Sequence, residues 1–151
     1  MVLPPHMPCL STEEVNALID QHFPQVHEGN GRVTLETLAP RMAHVRMADD
    51  SRSIRPGGTV SGPTMFKLAD FSVYALLLAE LGPAALPAVT TSMTINFLTR
   101  PAPGDLVART RLIKLGRRLA VAEIEIYSNG NPHMVAHATG TYAVPARAVA
   151  P

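Results

Sequence analysis

"RPGGTVSGPTMFKLADFSVYALLLAELGP", residues 55–83, joins a turn-rich opening to a segment that is apolar almost all the way round. The spacing predicts a helix over about 62–81, with Gly62 as the expected cap, Pro63 at the first helical position, and Gly82 and Pro83 as the stop. A helix with no polar face must be enclosed on every side. Yet Asp70 stands at its centre, between "FKLA" and "FSVYALLLA". A carboxylate facing packed protein needs hydrogen-bond donors, or its desolvation weighs against folding. Two readings of Asp70 are open at this level. It is a functional acid, or it is one half of an i,i+3 ion pair with Lys67.

The flanking sequence indicates what encloses the helix. Ser11 precedes Glu14 by three residues, a capping-box pattern, and Val15, Leu18, Ile19 and Phe23 follow at helical spacing, so a short helix is expected over about 11–23. "RVTLETL" (32–38) and "RMAHVRM" (41–47) alternate apolar and polar residues, with Pro40 between them, and read as two strands. Residues 48–58 are polar and glycine-rich, and read as a connection. After the central helix the period becomes two in 88–98, 105–115, 118–128 and 133–144, separated by "TRPAPG", Gly116 and "NGNP". Sequential strands with short turns imply an antiparallel sheet, and a sheet curled around one apolar helix satisfies both demands. The expectation is an α+β protein with residues 1–151 as one domain and a tail that frays after Pro145.

Composition narrows the function. A net charge of +1 gives no general attraction to nucleic acid or anionic membrane, so neither is expected as a partner. Cys9 is the only cysteine, which rules out a disulfide framework or a thiolate zinc site. "MVLPPHMPCL" lacks the pattern of a signal peptide, and no window approaches the roughly 18 consecutive apolar residues of a membrane span, so a cytoplasmic protein is expected. There is no G-x-G-x-x-G, P-loop or H-E-x-x-H, and "GTVSG" lacks the spacing of a nucleophile elbow. His133 and His137 are four apart on a predicted strand, about 13 Å along it, too far to share a metal, and no metal site is expected.

The helix start adds a second candidate. First-turn N–H groups are unpaired and carry the positive end of the helix dipole, so Gly62 is placed to polarise a carbonyl. Eight residues at about 1.5 Å rise separate Gly62 from Asp70 by about 12 Å along one axis. One reacting carbonyl cannot touch both within a chain. Cooperation requires a second, antiparallel copy of the helix, and therefore a two-fold dimer.

"GTVSGPTMFKLAD" followed by a long helix, "AVTTSMTINFLTRPAPGDLVA", "KLGRRLAVAEIEIY" and "VAHATGTYAV", in this order, make residues 30–144 resemble the hotdog-fold acyl-CoA thioesterases of the phenylacetate-pathway type. The resemblance implies a sheet wrapped around a central helix and a homodimer or a dimer of dimers. It implies hydrolysis of an acyl- or aryl-CoA to the free acid and CoA, with CoA entering only as substrate and no cofactor. It gives Asp70 the role of general base or nucleophile, and the Gly62 amide of the facing subunit that of carbonyl polariser. Thr90 matches a hydroxyl residue that helps hold the hydrolytic water. The family's His-Gly-Gly stands here as Ser61, Gly62 and Pro63, so Ser61 is left to cap the helix or hold water, and Pro63 has no N–H to offer. Arg55 stands where relatives commonly have an asparagine, and is suited either to a substrate carbonyl or to pairing with a carboxylate. Phe71, Tyr74 and Ser92 fall in the implied acyl pocket, with Phe71 and Tyr74 expected from the partner helix. Lys114, Leu115, Gly116, Arg117, Arg118 and Leu119 fall in the implied CoA-binding edge, where the cations suit phosphates.

Two rival functions fit the same pattern. A non-catalytic acyl-CoA-binding or scaffold dimer would explain the altered His-Gly-Gly segment, although such a protein gains little from an enclosed carboxylate. A thioester hydratase or dehydratase ranks lower, because it divides acid and base work between a histidine and a carboxylate, and Ser61 occupies the histidine position.

Overall fold

The structure is a computed structural model that describes residues 7–146. The tail expected to fray lies, from residue 147 on, outside the described residues. Helix α1, Thr12–His22, is capped by Ser11, whose Oγ accepts the Glu14 N–H at 3.2 Å, and it buries Val15 and Ile19. The Asn16 side chain fastens it to the next element, accepting from the Leu35 N–H and donating to the Leu35 carbonyl. Strands β1 (Val33–Ala39) and β2 (Met42–Met47) form a hairpin. The polar stretch that follows, read from sequence as a plain connection, contains a miniature hairpin of β3 (Ile54–Arg55) and β4 (Thr59–Val60). Its turn uses Gly57 and Gly58 at φ 102° and 77°, a conformation that leaves no period-two signal.

Helix α2, Gly62–Leu81, precedes β5 (Val89–Phe97), β6 (Leu106–Leu115), β7 (Leu119–Ser128) and β8 (Met134–Ala143). Six strands make one antiparallel sheet in the order β1-β2-β6-β7-β8-β5. All six pack against α2, which is the curled sheet around a central helix that the sequence predicts. Leu68, Leu76, Leu77 and Leu78 are fully buried at successive angles around the helix. With the turn after it, α2 is long and apolar enough to cross a membrane, but here the sheet covers that surface. The helix approaches closely because the inward faces of β7 and β8 carry small residues, Ala120, Ala122, Ala136, Ala138 and Gly140. The buried Ser72 hydroxyl is satisfied within the core, donating to the Ala69 carbonyl and accepting from Thr110 Oγ1 at 2.7 Å each.

Strand β5 is an edge strand, paired among the described residues only with β8, and it stays largely exposed, including Val89 and Phe97. Gly31 sets the approach of the chain to β1. A Cβ there falls 1.7 Å from the Ala48 carbonyl oxygen, which cannot yield because it is backbone. Gly31→Ala is expected to cost about 2 kcal/mol or more, as overpacking does, read as a lowered midpoint in urea denaturation.

Candidate active site

Asp70 lies in the third turn of α2, and two hydroxyls donate to one of its carboxylate oxygens. Thr90 Oγ1 lies 2.5 Å from Asp70 Oδ1, and the Tyr142 hydroxyl lies 2.7 Å from the same atom. The Tyr142 hydroxyl also lies 2.8 Å from the Asp70 carbonyl oxygen. Lys67 does not pair with Asp70, which removes the ion-pair reading. Its ammonium donates to the Glu28 carbonyl at 3.0 Å and to Asn30 Oδ1 at 2.5 Å, because the loop before β1 offers acceptors on its side of the helix. Burial pulls the Lys67 pKa below the usual lysine value.

The strand geometry brings Thr90 inward. Alternation along β5 directs Met93 and Ile95 toward the helix and would send Thr90 to the opposite face. The pairing to β8 slips at this point: Thr90 opposes Tyr142 and Ser92 opposes Thr141, leaving Thr91 as an extra residue. The bulge restores Thr90 to the helix-facing side, level with Tyr142. Tyr142 ends the inward series Ala136, Ala138, Gly140 of β8 and is 3% exposed. Burial and the neighbouring carboxylate push its pKa well above the usual tyrosine value, so it keeps its proton.

Asp70 is half-buried and faces a cavity of about 720 Å³ rather than packed protein, as its all-apolar surroundings in sequence suggested. Phe23, Phe71, Tyr74, Leu86 and Val89 supply apolar wall, and His22 and Lys67 supply polar edges. Phe71 and Tyr74 thus stand beside the Asp70 of their own chain. Tyr74 is held by its hydroxyl on the Leu86 carbonyl at 2.7 Å and by an edge-on contact with Phe23, and burial raises its pKa.

At the other end of the helix the true cap is Ser61, one residue earlier than expected, with Pro63 exposed at the second helical position. Ser61 wins because its Oγ accepts the Thr64 N–H at 3.3 Å, while glycine has no acceptor to offer. The Gly62 N–H has no hydrogen-bond partner among the described residues. Gly62 lines a second groove of about 300 Å³ together with Arg55, Phe97, Leu98 and Arg100, and a Cβ on Gly62 would lie 3.3 Å from the Phe97 ring. Within one chain Gly62 and Asp70 therefore serve different hollows.

Ser92 is exposed on β5, beyond the bulge, and does not line the Asp70 cavity. Lys114, Leu115, Gly116, Arg117, Arg118 and Leu119 form the β6–β7 turn, in which Gly116 N–H donates to the Leu119 carbonyl and Arg118 accepts from Val144 N–H. None of the six lines the cavity, but Leu119 is level with Ala143 and Ala143 with Val89. The turn thus lies at the cavity's end of the sheet, about 10 Å away across two strand spacings. Sequence reading missed Tyr142, His22, Phe23 and the 86–88 turn. For Tyr142 the available signal was one large polar residue ending a run of small inward residues.

A protein-family model described as the thioesterase superfamily matches residues 57–134. A protein of Saccharolobus solfataricus named as a candidate esterase is 30% identical over 91% of this chain and 87% of its own length. The crystal structure of a candidate thioesterase from Silicibacter sp. is 42% identical with a TM-score of 0.84, covering 96% of this chain and 99% of that one. A mutant phenylacetic acid degradation protein PaaI of Thermus thermophilus is 27% identical with a TM-score of 0.66, over 79% of this chain and 97% of that one.

The capping role of Ser61 is separable from any chemistry. Ser61→Ala is expected to lower stability by about 1 kcal/mol, and Ser61→Asp, an equally good cap, to return the loss, both read by thermal denaturation.

Proposed function

Because the chain belongs to the thioesterase superfamily, has the hotdog fold and is a thioester hydrolase, we propose that its substrate is an acyl- or aryl-coenzyme A, cleaved to the free acid and CoA between two subunits. The observation that carries the proposal is the pairing of a held carboxylate, Asp70, with an apolar cavity of about 720 Å³, a volume in the range of small-molecule sites. The acyl group occupies the cavity, and its thioester carbonyl comes to lie beside Asp70. Asp70 acts as general base on water or as nucleophile on the carbonyl carbon. The thiolate of CoA leaves, and water supplies the oxygen of the product acid, so no cofactor takes part.

The carbonyl polariser is the partner's Gly62. The exposed edge of β5, with Val89 58%, Phe97 52% and Leu98 56% exposed, supports pairing with a second copy. Met93 is the midpoint of Val89–Phe97. Antiparallel pairing about a two-fold axis there sets the Thr90 end of one strand against the Phe97 end of the other. The partner's Gly62, which lies against its own Phe97 ring, is then brought to the Asp70 cavity. Its unpartnered N–H at the positive end of α2 stabilises the developing oxyanion. Arg55 and Arg100 beside Gly62, with Lys114, Arg117 and Arg118 at the cavity's end of the sheet, suit the CoA phosphates. A cytoplasmic setting accords with a CoA substrate.

Thiol release measured over aryl-, short- and long-chain acyl-CoA thioesters tests the substrate class. Asp70→Asn is expected to abolish turnover while the dimer persists in sedimentation. Unchanged turnover overturns the role of Asp70.

Subunit complementation tests the shared site. Asp70→Asn and Gly62→Pro, the latter removing the N–H, are each expected to be inactive alone. Mixing them equally after subunit exchange should restore about one quarter of wild-type activity, because half the dimers are mixed and each of those has one intact site. A mixture as inactive as its components would exclude a site built across the interface.

A further inference from the structure

Asp70 Oδ1 receives both hydroxyl donors, Thr90 at 2.5 Å and Tyr142 at 2.7 Å, while Oδ2 has no hydrogen-bond partner among the described residues. An ionised carboxylate offers about two lone-pair sites per oxygen, so two donors fill Oδ1 and leave Oδ2 open. The two donors come from neighbouring strands, level with each other because of the bulge at Thr91. Tyr142 has a single proton, and the Asp70 carbonyl oxygen at 2.8 Å and Oδ1 at 2.7 Å are both acceptors within its reach. The charged oxygen is the stronger acceptor.

We propose that Tyr142 and Thr90 form a clamp on Asp70 Oδ1 that fixes the carboxylate's rotation and makes Oδ2 the oxygen that meets water or the thioester carbon. Both are positioning residues, since they act through Asp70. This inference rests on the thioesterase reading of the Asp70 cavity. It gives Thr90 a role different from holding the hydrolytic water, because its hydroxyl proton is already committed to Oδ1. Tyr142 is the more constrained of the pair. It is nearly fully buried, and its backbone is paired on both sides, with Ala120 of β7 and Thr90 of β5. The carboxylate thus takes its orientation from the sheet and its position from the helix.

Tyr142→Phe keeps the ring and removes the proton. It is expected to lower kcat about ten- to a hundred-fold, the scale of one hydrogen bond to a charged group, with KM held within about two-fold. Thr90→Val, on an exposed edge where folding is not at risk, should lower kcat in the same way, and Thr90→Ser should recover most of that loss. Unchanged kcat in both Tyr142→Phe and Thr90→Val, or losses carried by KM alone, would overturn the clamp. Crystal structures supply a readout independent of turnover: one Asp70 carboxylate orientation in the wild type, and a rotated or multiple orientation in the double variant Tyr142→Phe/Thr90→Val. An unrotated Asp70 in the double variant also overturns the inference. A wild type that hydrolyses no thioester overturns the functional reading alone, because the crystallographic comparison still decides the clamp.

Discussion

A helix with no polar face dictates the rest of this molecule. Helix α2 has to be covered on all sides, and a single antiparallel sheet can do that only by curling around it. The curl requires close approach, which explains the run of alanines and Gly140 on the inward faces of β7 and β8. Those small residues contribute little apolar area themselves. They let Leu68, Leu76, Leu77 and Leu78 bury theirs completely.

Enclosure has a local exception, and the site occupies it. Around Asp70 the sheet ends, α1 and the 86–88 turn stand off, and the cavity opens between them. The carboxylate is kept out of the packed core yet is held by two hydroxyls from β5 and β8. Lys67, one turn earlier, is drawn to the loop at Glu28 and Asn30. That leaves Asp70 without an ion-pair partner among the described residues. A carboxylate anchored by neutral donors beside an apolar cavity is suited to act on an uncharged thioester, because among the described residues no cation is bonded to its free oxygen.

Much of the architecture is legible in the residues because it rests on periodicity. The 3.6 and 2.0 repeats mark α1, α2 and six of the strands, and Ser11 with Glu14 marks the first helix start. The β3–β4 hairpin was not legible, since its two-residue strands are too short to show alternation. The cap of α2 stayed open between Ser61 and Gly62, because "SGP" offers both a hydroxyl and a glycine and only the Ser61–Thr64 contact decides between them. Asp70 was legible as an anomaly, and Thr90 through family resemblance. Tyr142 was hidden, because its partner is 72 residues away in sequence.

The sequence by itself determined that an apolar helix carries one acid, that a sheet must surround it, and that Gly62 and Asp70 are too far apart to share a carbonyl within one chain. These follow from local periodicity and the fixed rise of a helix. Only the tertiary structure decided that Lys67 turns away, that a single extra residue at Thr91 swings Thr90 inward, and that Tyr142 meets Asp70 across the fold. Strand register and bulges depend on how non-local chains pack, and a one-residue slip reverses the facing of every side chain beyond it.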